Sequence, residues 1–475
     1  MVLLRTLFLV VTVTLVSCLI AIPIAWLQVR TDLRFRKFWS VITLLPLVIP
    51  SYVGGFIFIV ALGPKGMLQT FLNALWGFER IPDISGYVGS LIILSLLSFP
   101  YVLLTVKAGL RQMDSNLEES ARVLGNGGWK TFLKISVPLL RPSIAAGALL
   151  VALYTLSDFG AVSILRYETF TWAIYNQYEG SLNRNFGALL SVILIVIALS
   201  IVVGEGLFRG KARYYRTGQG VSRKPVGMSL GIWQWPSQMF LIIITFVGLV
   251  LPVLVLWYWL IRGVFAGEPL LILWKAALNS IMISLVASLA TVIAAFPIAV
   301  LCVRYPSMLS VVVEKITYIG FALPGIAVAL GLVFFGANYL PGIYQTFVIL
   351  SAGYVILFLP AAVGAIRSSL LQVRPEIEDA GRSLGHSTFY VLKSLTLPMV
   401  KHGVLAGGVI VFLLTMKELP ATLILSPLGF NTLATSIWSA SSEAFFAQAA
   451  APALLLILVS ALPLVLITIR EDLRS

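Results

Sequence analysis

Eleven stretches of this chain are apolar over roughly the 20 residues that a helix needs to cross a bilayer, and polar segments separate them. They lie near 2–27, 41–61, 86–106, 143–161 and 187–207, then 238–261, 276–302, 314–336, 345–366, 403–424 and 449–469. A backbone inside hydrocarbon must satisfy its own hydrogen bonds, and residues of this composition do so as helices. The predicted fold class is therefore an all-α polytopic membrane protein with about 11 transmembrane helices. Hydrophobic residues at 59% and charged residues at 11% exclude an ordinary soluble domain.

The polar segments carry a duplication. EESARVLGNGGWKTFLKISVP runs from Glu118 to Pro138, and EDAGRSLGHSTFYVLKSLTLP runs from Glu378 to Pro398. Asp379 follows Glu119 by 260 residues, and the same offset links Arg122 to Arg382, Gly125 to Gly385 and Pro138 to Pro398. Upstream the offset is 274: Ala21-Ile22-Pro23-Ile24-Ala25 recurs as Ala295-Phe296-Pro297-Ile298-Ala299, Arg30 as Arg304 and Pro50 as Pro324. The first copy thus holds about fourteen extra residues, the difference of the two offsets, between Gly63 and Tyr87. Six spans separate the two polar islands, an even number, so both islands face one side and the repeats are parallel. Secondary transporters built on inverted repeats do not have this parity.

Placing both islands in the cytoplasm assigns 25 of the 33 Lys and Arg to that side and seven to the other, with Lys417 left in a span. This obeys the positive-inside rule. A net charge of +14 would suggest nucleic acid as a partner of a soluble chain, but here the largest basic cluster, Arg209 to Lys224, is a polar linker between spans. The chain divides into a first repeat over 1–208 with five spans, a linker over 209–237, and a second repeat over 238–475 with six. Met1–Ile24 is too long an apolar run for a signal peptide and has no small-residue cleavage site after it.

Each island resembles the EAA loop of binding-protein-dependent ABC importer permeases, whose pattern is Glu-Ala-Ala, three residues, Gly, nine residues, then Ile-x-Leu-Pro. Here it reads Glu119-Ser120-Ala121, Gly125, Ile135, Val137 and Pro138, then Asp379-Ala380-Gly381, Gly385, Leu395, Leu397 and Pro398. In that family the loop forms a short coupling helix that sits in a cleft of a separate ATPase subunit. The resemblance implies ATPase coupling through Glu119, Ala121, Gly125 and Pro138 in a loop at about 107–142. It implies the same for Asp379, Ala380, Gly385 and Pro398 at about 367–402. It also implies two ATPase copies on the cytoplasmic face, a periplasmic or extracellular substrate-binding protein, and a multi-pass protein of the inner membrane with a cytoplasmic C-terminus. Family resemblance implies twelve spans; either a first helix precedes Met1 or the first half works with a five-helix core. An amphipathic surface loop without a partner has the same composition, and the two-copy spacing is what argues against it.

Twenty residues after each loop proline comes an acid in apolar surroundings, Asp158 and Glu418. A carboxylate in or near a span is costly unless it is paired or meets water, which makes both candidates for lining a translocation path. A helix-end carboxylate, or for Glu418 an ion pair with Lys417, is the structural alternative. The phrases LSDFGAVSILRYETFTWAIY and MKELPATLILSPLGFNTLATSIW resemble the fused iron(III) importer permeases, although Ser426 stands where Arg is expected in many relatives. Ferric iron is the cargo this resemblance implies. Thiamine, polyamine and phosphonate importers share the architecture, and an ion-gradient-driven cation transporter is the alternative from another class.

No catalytic constellation is legible. Trp129 occupies the place where a phosphate-binding loop needs Gly before Lys130, so ATP hydrolysis is expected in a separate subunit. The two histidines, His386 and His402, and the two cysteines, Cys18 and Cys302, have no metal-ligand or disulfide spacing; neither metal nor cofactor is expected.

Overall fold

A computed structural model describes residues 1–64, 66–77, 82–113, 128–180, 184–209, 228–267, 272–320 and 323–474. The all-α expectation holds. Among these residues nine helices are long and apolar enough to cross a membrane, and a bent pair, Phe132–Leu139 with Arg141–Ser157, makes a tenth. The apolar helix Gly325–Tyr339, within the run expected at 314–336, is at 15 residues shorter than a span.

Four of the expected spans are interrupted. The run at 41–61 is a short helix ending at Ile42, a turn through Leu45–Val48, and a new helix Ser51–Leu62 after Pro50. Its repeat at 314–336 divides between helices Met308–Ile319 and Gly325–Tyr339, the second again starting after a proline, Pro324. The runs at 143–161 and 403–424 stop at Ser157 and Met416, and short helices Gly160–Ile164 and Pro420–Leu425 follow. Hydropathy cannot register these breaks because the sequence stays apolar across them. Proline can, since it lacks the N–H that would continue the ladder and biases its predecessor away from helical geometry.

Three further prolines follow a widened turn. Ahead of Pro138, Pro252 and Pro398 the helix widens by one residue, with Val137 N–H bonding Phe132 O, Leu251 N–H bonding Phe246 O, and Leu397 N–H bonding Leu392 O. These i→i−5 turns give the proline ring room against the preceding turn, and such turns mark bends. The first-repeat helix bends by 66° just beyond its wide turn.

The helices gather into two compact units. One comprises Met1–Asn176, Val196–Ile261 and Ile457–Ser475, and the other Gln177–Ile195 and Arg262–Leu456. The helix that opens the second repeat, Gln234–Thr245 continuing to Phe265, falls mostly in the first unit: Gly248 lies against Pro46, and Gln238 accepts from the Trp39 indole and donates to Arg34 O. The core of this unit is helix Val2–Arg30 packed on Tyr87–Gln112 and Arg141–Ser157, with Leu9, Val13, Ala21 and Ile24 buried and Ser17 bonded to Ser98 at 3.1 Å. In the second unit helices Ile272–Arg304, Phe347–Leu370 and Leu397–Met416 repeat that arrangement around Ala295, Ala299, Val363, Ile366 and Val400.

Helices in lipid approach each other where side chains are small. In the first unit Gly109 packs onto Ser143; in the second, Ser369 packs onto Gly403. These are equivalent positions with the partners exchanged, so the duplication has kept the contact rather than the residues.

Candidate functional site

The second loop is the fully described one. Its helix Pro375–Ser383 starts with Pro375, whose absent N–H is unneeded in a first turn, and carries Glu376 and Glu378 where the helix dipole favours negative charge. Glu378 and Gly381 face inward, whereas Asp379, Ala380 and the run from Arg382 to Tyr390 are exposed. Asp379 pairs with Arg382 one turn on, at 2.8 Å. Leu384 and Phe389 are 79% and 75% exposed, so the loop presents apolar side chains outward beyond the end of its charged helix. His386, also exposed, stacks on Tyr390.

The two glycines of this loop do different work. Gly385 has φ +88° and open space where a Cβ would be. Its N–H bonds Arg382 O at 3.0 Å and the next N–H, from His386, bonds Gly381 O at 3.4 Å, which is the paired closure of a Schellman helix end. Gly381 is the close-contact position: a methyl there would stand 2.8 Å from Leu395 and 3.1 Å from Val391. Ser387 then caps the next turn by accepting from Tyr390 N–H, and the chain passes through the wide turn Leu392–Thr396 to the exposed Pro398 at the start of helix Leu397–Met416.

What joins this loop to the membrane helices was not foreseen as a site. Arg304, at the end of helix Ile272–Arg304, holds both carboxylate oxygens of buried Glu378 through Nε at 3.1 Å, and its NH2 group donates to Leu370 O at 3.3 Å and Val373 O at 3.0 Å. Thr396 in the wide turn donates to the same carboxylate at 3.1 Å. One ion pair therefore ties together the ends of two membrane helices, the loop helix Pro375–Ser383 and the turn that precedes Pro398. The signal was present in the sequence: Arg304 repeats Arg30, and Glu378 repeats Glu118. Arg30 is buried and donates to Met113 O at 3.1 Å, the position equivalent to Val373. Glu118, Glu119, Ala121 and Gly125 lie outside the described residues; Pro138 is half-buried beyond its own wide turn.

Asp158 and Glu418 both stand at helix ends. Asp158 Oδ2 accepts from Ala161 N–H at 3.0 Å and Val162 N–H at 3.3 Å, capping helix Gly160–Ile164, and the Ser51 hydroxyl also bonds it. Glu418 Oε1 accepts from Ala421 N–H at 3.2 Å, capping Pro420–Leu425, and lies against Gly325. Ser51 and Gly325 are themselves equivalent, each opening the helix that follows Pro50 or Pro324. The segments after the acids begin helices Phe170–Glu179 and Leu433–Ser442, whose first N–H groups are taken by Thr6 Oγ1 at 3.1 Å and Ser280 Oγ at 2.7 Å.

The sequence pattern of the binding-protein-dependent transport system inner membrane component family matches residues 8–206 and again 295–471. The chain belongs to that family. It is a fused permease carrying the family's domain twice. The Fe(3+)-transport system permease protein FbpB 2 of Haemophilus influenzae is 38% identical over 467 residues, covering 98% of this chain and 88% of that protein. The ferric transport system permease protein FbpB of Actinobacillus pleuropneumoniae is 24% identical over 89% of this chain and 64% of its own length. The molybdenum transport system permease protein ModB of Escherichia coli is 31% identical, but over 39% of this chain and 82% of ModB, the relation of a one-domain permease to one half of this fused one.

Proposed function

We propose that this permease translocates ferric iron in an ATP-driven importer, receiving it from a periplasmic or extracellular binding protein and coupled to two copies of an ATPase subunit on the cytoplasmic face. The observation that carries the cargo is the 38% identity to a protein named for Fe(3+) transport, sustained over 98% of the chain. The molybdenum relative matches one half alone, which favours iron over an oxyanion. The exposed loop helix supports an ATPase partner, because an uncovered Leu384 at the end of a short charged helix is an anchor of the kind that fills a partner's cleft. The parallel repeats support a pair of equivalent ATPase sites.

Reconstitution tests both parts. The chain with its ATPase and iron-loaded binding protein should take up radiolabelled ferric iron into liposomes only with ATP, whereas uptake by the chain alone under an ion gradient would establish a secondary transporter instead. ATP-driven uptake with a binding protein that retains thiamine, a polyamine, a phosphonate or molybdate would keep the importer and replace the cargo.

A further inference from the structure

The loop end of the second unit contains a lateral cleft. It has a volume of about 500 Å³, within the range of small-ligand sites, and is walled by Phe296 and Val300 of helix Ile272–Arg304 and by Phe389, Leu392 and Leu397 across from them. Tyr305 and Lys393, both exposed, are its polar rim. In the first unit the positions of Val300 and Leu392 are held by Trp26 and Phe132, whose rings meet at 5.2 Å and are 7% and 3% exposed. The positions of Tyr305 and Lys393 are held there by Thr31 and Leu133. Two wall residues have shrunk and two rim residues have become aromatic and basic at one place, which distinguishes a built site from loose packing.

We propose that this cleft binds one acyl chain of an anionic phospholipid, with the headgroup on Lys393. Apolar space on the flank of a membrane helix is filled by lipid, since an empty apolar cavity forfeits contacts on every wall. Its mouth is at the loop end of the helix beside Arg304, where a tyrosine and a lysine mark the headgroup level and attract anionic lipid. Leu392 belongs to the wide turn that precedes Pro398, so an occupant braces the joint between coupling helix and membrane helix. That regulatory consequence rests on the importer reading; lipid binding itself does not.

The test is native mass spectrometry of the full chain purified from nanodiscs of equal phosphatidylglycerol and phosphatidylcholine. The wild type should retain one phosphatidylglycerol in preference to phosphatidylcholine by about fivefold, the factor associated with one basic group at a membrane surface. Val300→Trp with Leu392→Phe, which rebuilds the first-unit filling, should lose the retained lipid of either kind. Lys393→Gln should keep a lipid and lose the headgroup preference. Retention unchanged in the filled variant, or no preference in the wild type, overturns the proposal. Should the filled variant misfold, phosphatidylglycerol with a diazirine on its acyl chain should label wild-type peptides containing 296–301 and 389–397, and labelling confined elsewhere overturns it equally.

Discussion

Replacing Arg304 by Met should release helix Pro375–Ser383 from the membrane helices. The two side chains of its pair with Glu378 are 10% and 6% exposed, so water screens them little. Arg304→Met removes every guanidinium contact to Glu378, leaves that carboxylate with Thr396, and strips a donor from the Leu370 and Val373 carbonyls. Breaking a buried pair from one side costs about 3–5 kcal/mol. At 1.4 kcal/mol per decade this shifts the release of the helix by roughly 100- to 4,000-fold. Hydrogen exchange read on peptides covering 375–391 should therefore accelerate while amides in the core of helix Phe347–Leu370 stay protected. In the reconstituted importer, uptake should fall with basal ATPase retained. Arg304→Met combined with Glu378→Met should recover protection, since an apolar pair strands no charge, but should not restore uptake if the ion pair sets the angle of the loop. Unchanged protection and unchanged uptake in Arg304→Met would refute the reasoning.

Three other outcomes follow from the same geometry. Gly385→Ala places a Cβ at φ +88° and should cost about 1–3 kcal/mol in local stability, seen as a lowered Tm; Gly381→Leu should instead disturb packing on Leu395 and weaken ATPase association, and equal silence of both would dismiss the docking assignment. Asp158→Ala and Glu418→Ala should each lose a cap worth about 0.5–2 kcal/mol, whereas Asp158→Asn and Glu418→Gln keep an acceptor; if those amide variants fold normally yet lower iron uptake, the acids serve the path, and if uptake is intact they serve the fold alone. Cysteine labelling should reach Ser383, exposed on the coupling loop, from the cytoplasm only, and Ser442, exposed at the end of helix Leu433–Ser442, from outside only; the reverse pattern would invert the topology.

Fold class was legible because membrane spans and a duplicated loop are both strong, redundant signals: an error at one repeat is corrected at the other. The interrupted spans were not. Across Pro46, Pro50 and Pro324 the sequence remains apolar, and hydropathy averages over a break of three residues. Membership of the opening helix of the second repeat was also hidden, since periodicity gives a helix a face but not a neighbour; only Gln238 on Trp39 and Gly248 on Pro46 reveal where it packs. At the loop, spacing singles out Gly385 and Asp379 but gives no reason to pair Arg304 with Glu378. A buried ion pair joining residues 74 apart is invisible to any local pattern. It could have been found by asking which charged residues at the ends of apolar runs recur in both halves, a question that Arg30, Arg304, Glu118 and Glu378 answer together.

The placement of the two acids constrains what either can do. A capping carboxylate is held by backbone N–H groups, so it cannot swing toward a passing ion without releasing them, and Asp158 is further held by Ser51. Glu418 makes one such bond and faces Gly325, where its repeat meets a serine. The duplication has thus kept an acid at both helix breaks while placing Lys417 beside it in the second half, where the first has Ser157. If Glu418 contacts cargo rather than pairing with Lys417, its amide variant should depress uptake more than that of Asp158, and Lys417→Met should leave uptake unchanged. An equal effect of the two would mean that capping, which both perform, is what transport requires of them.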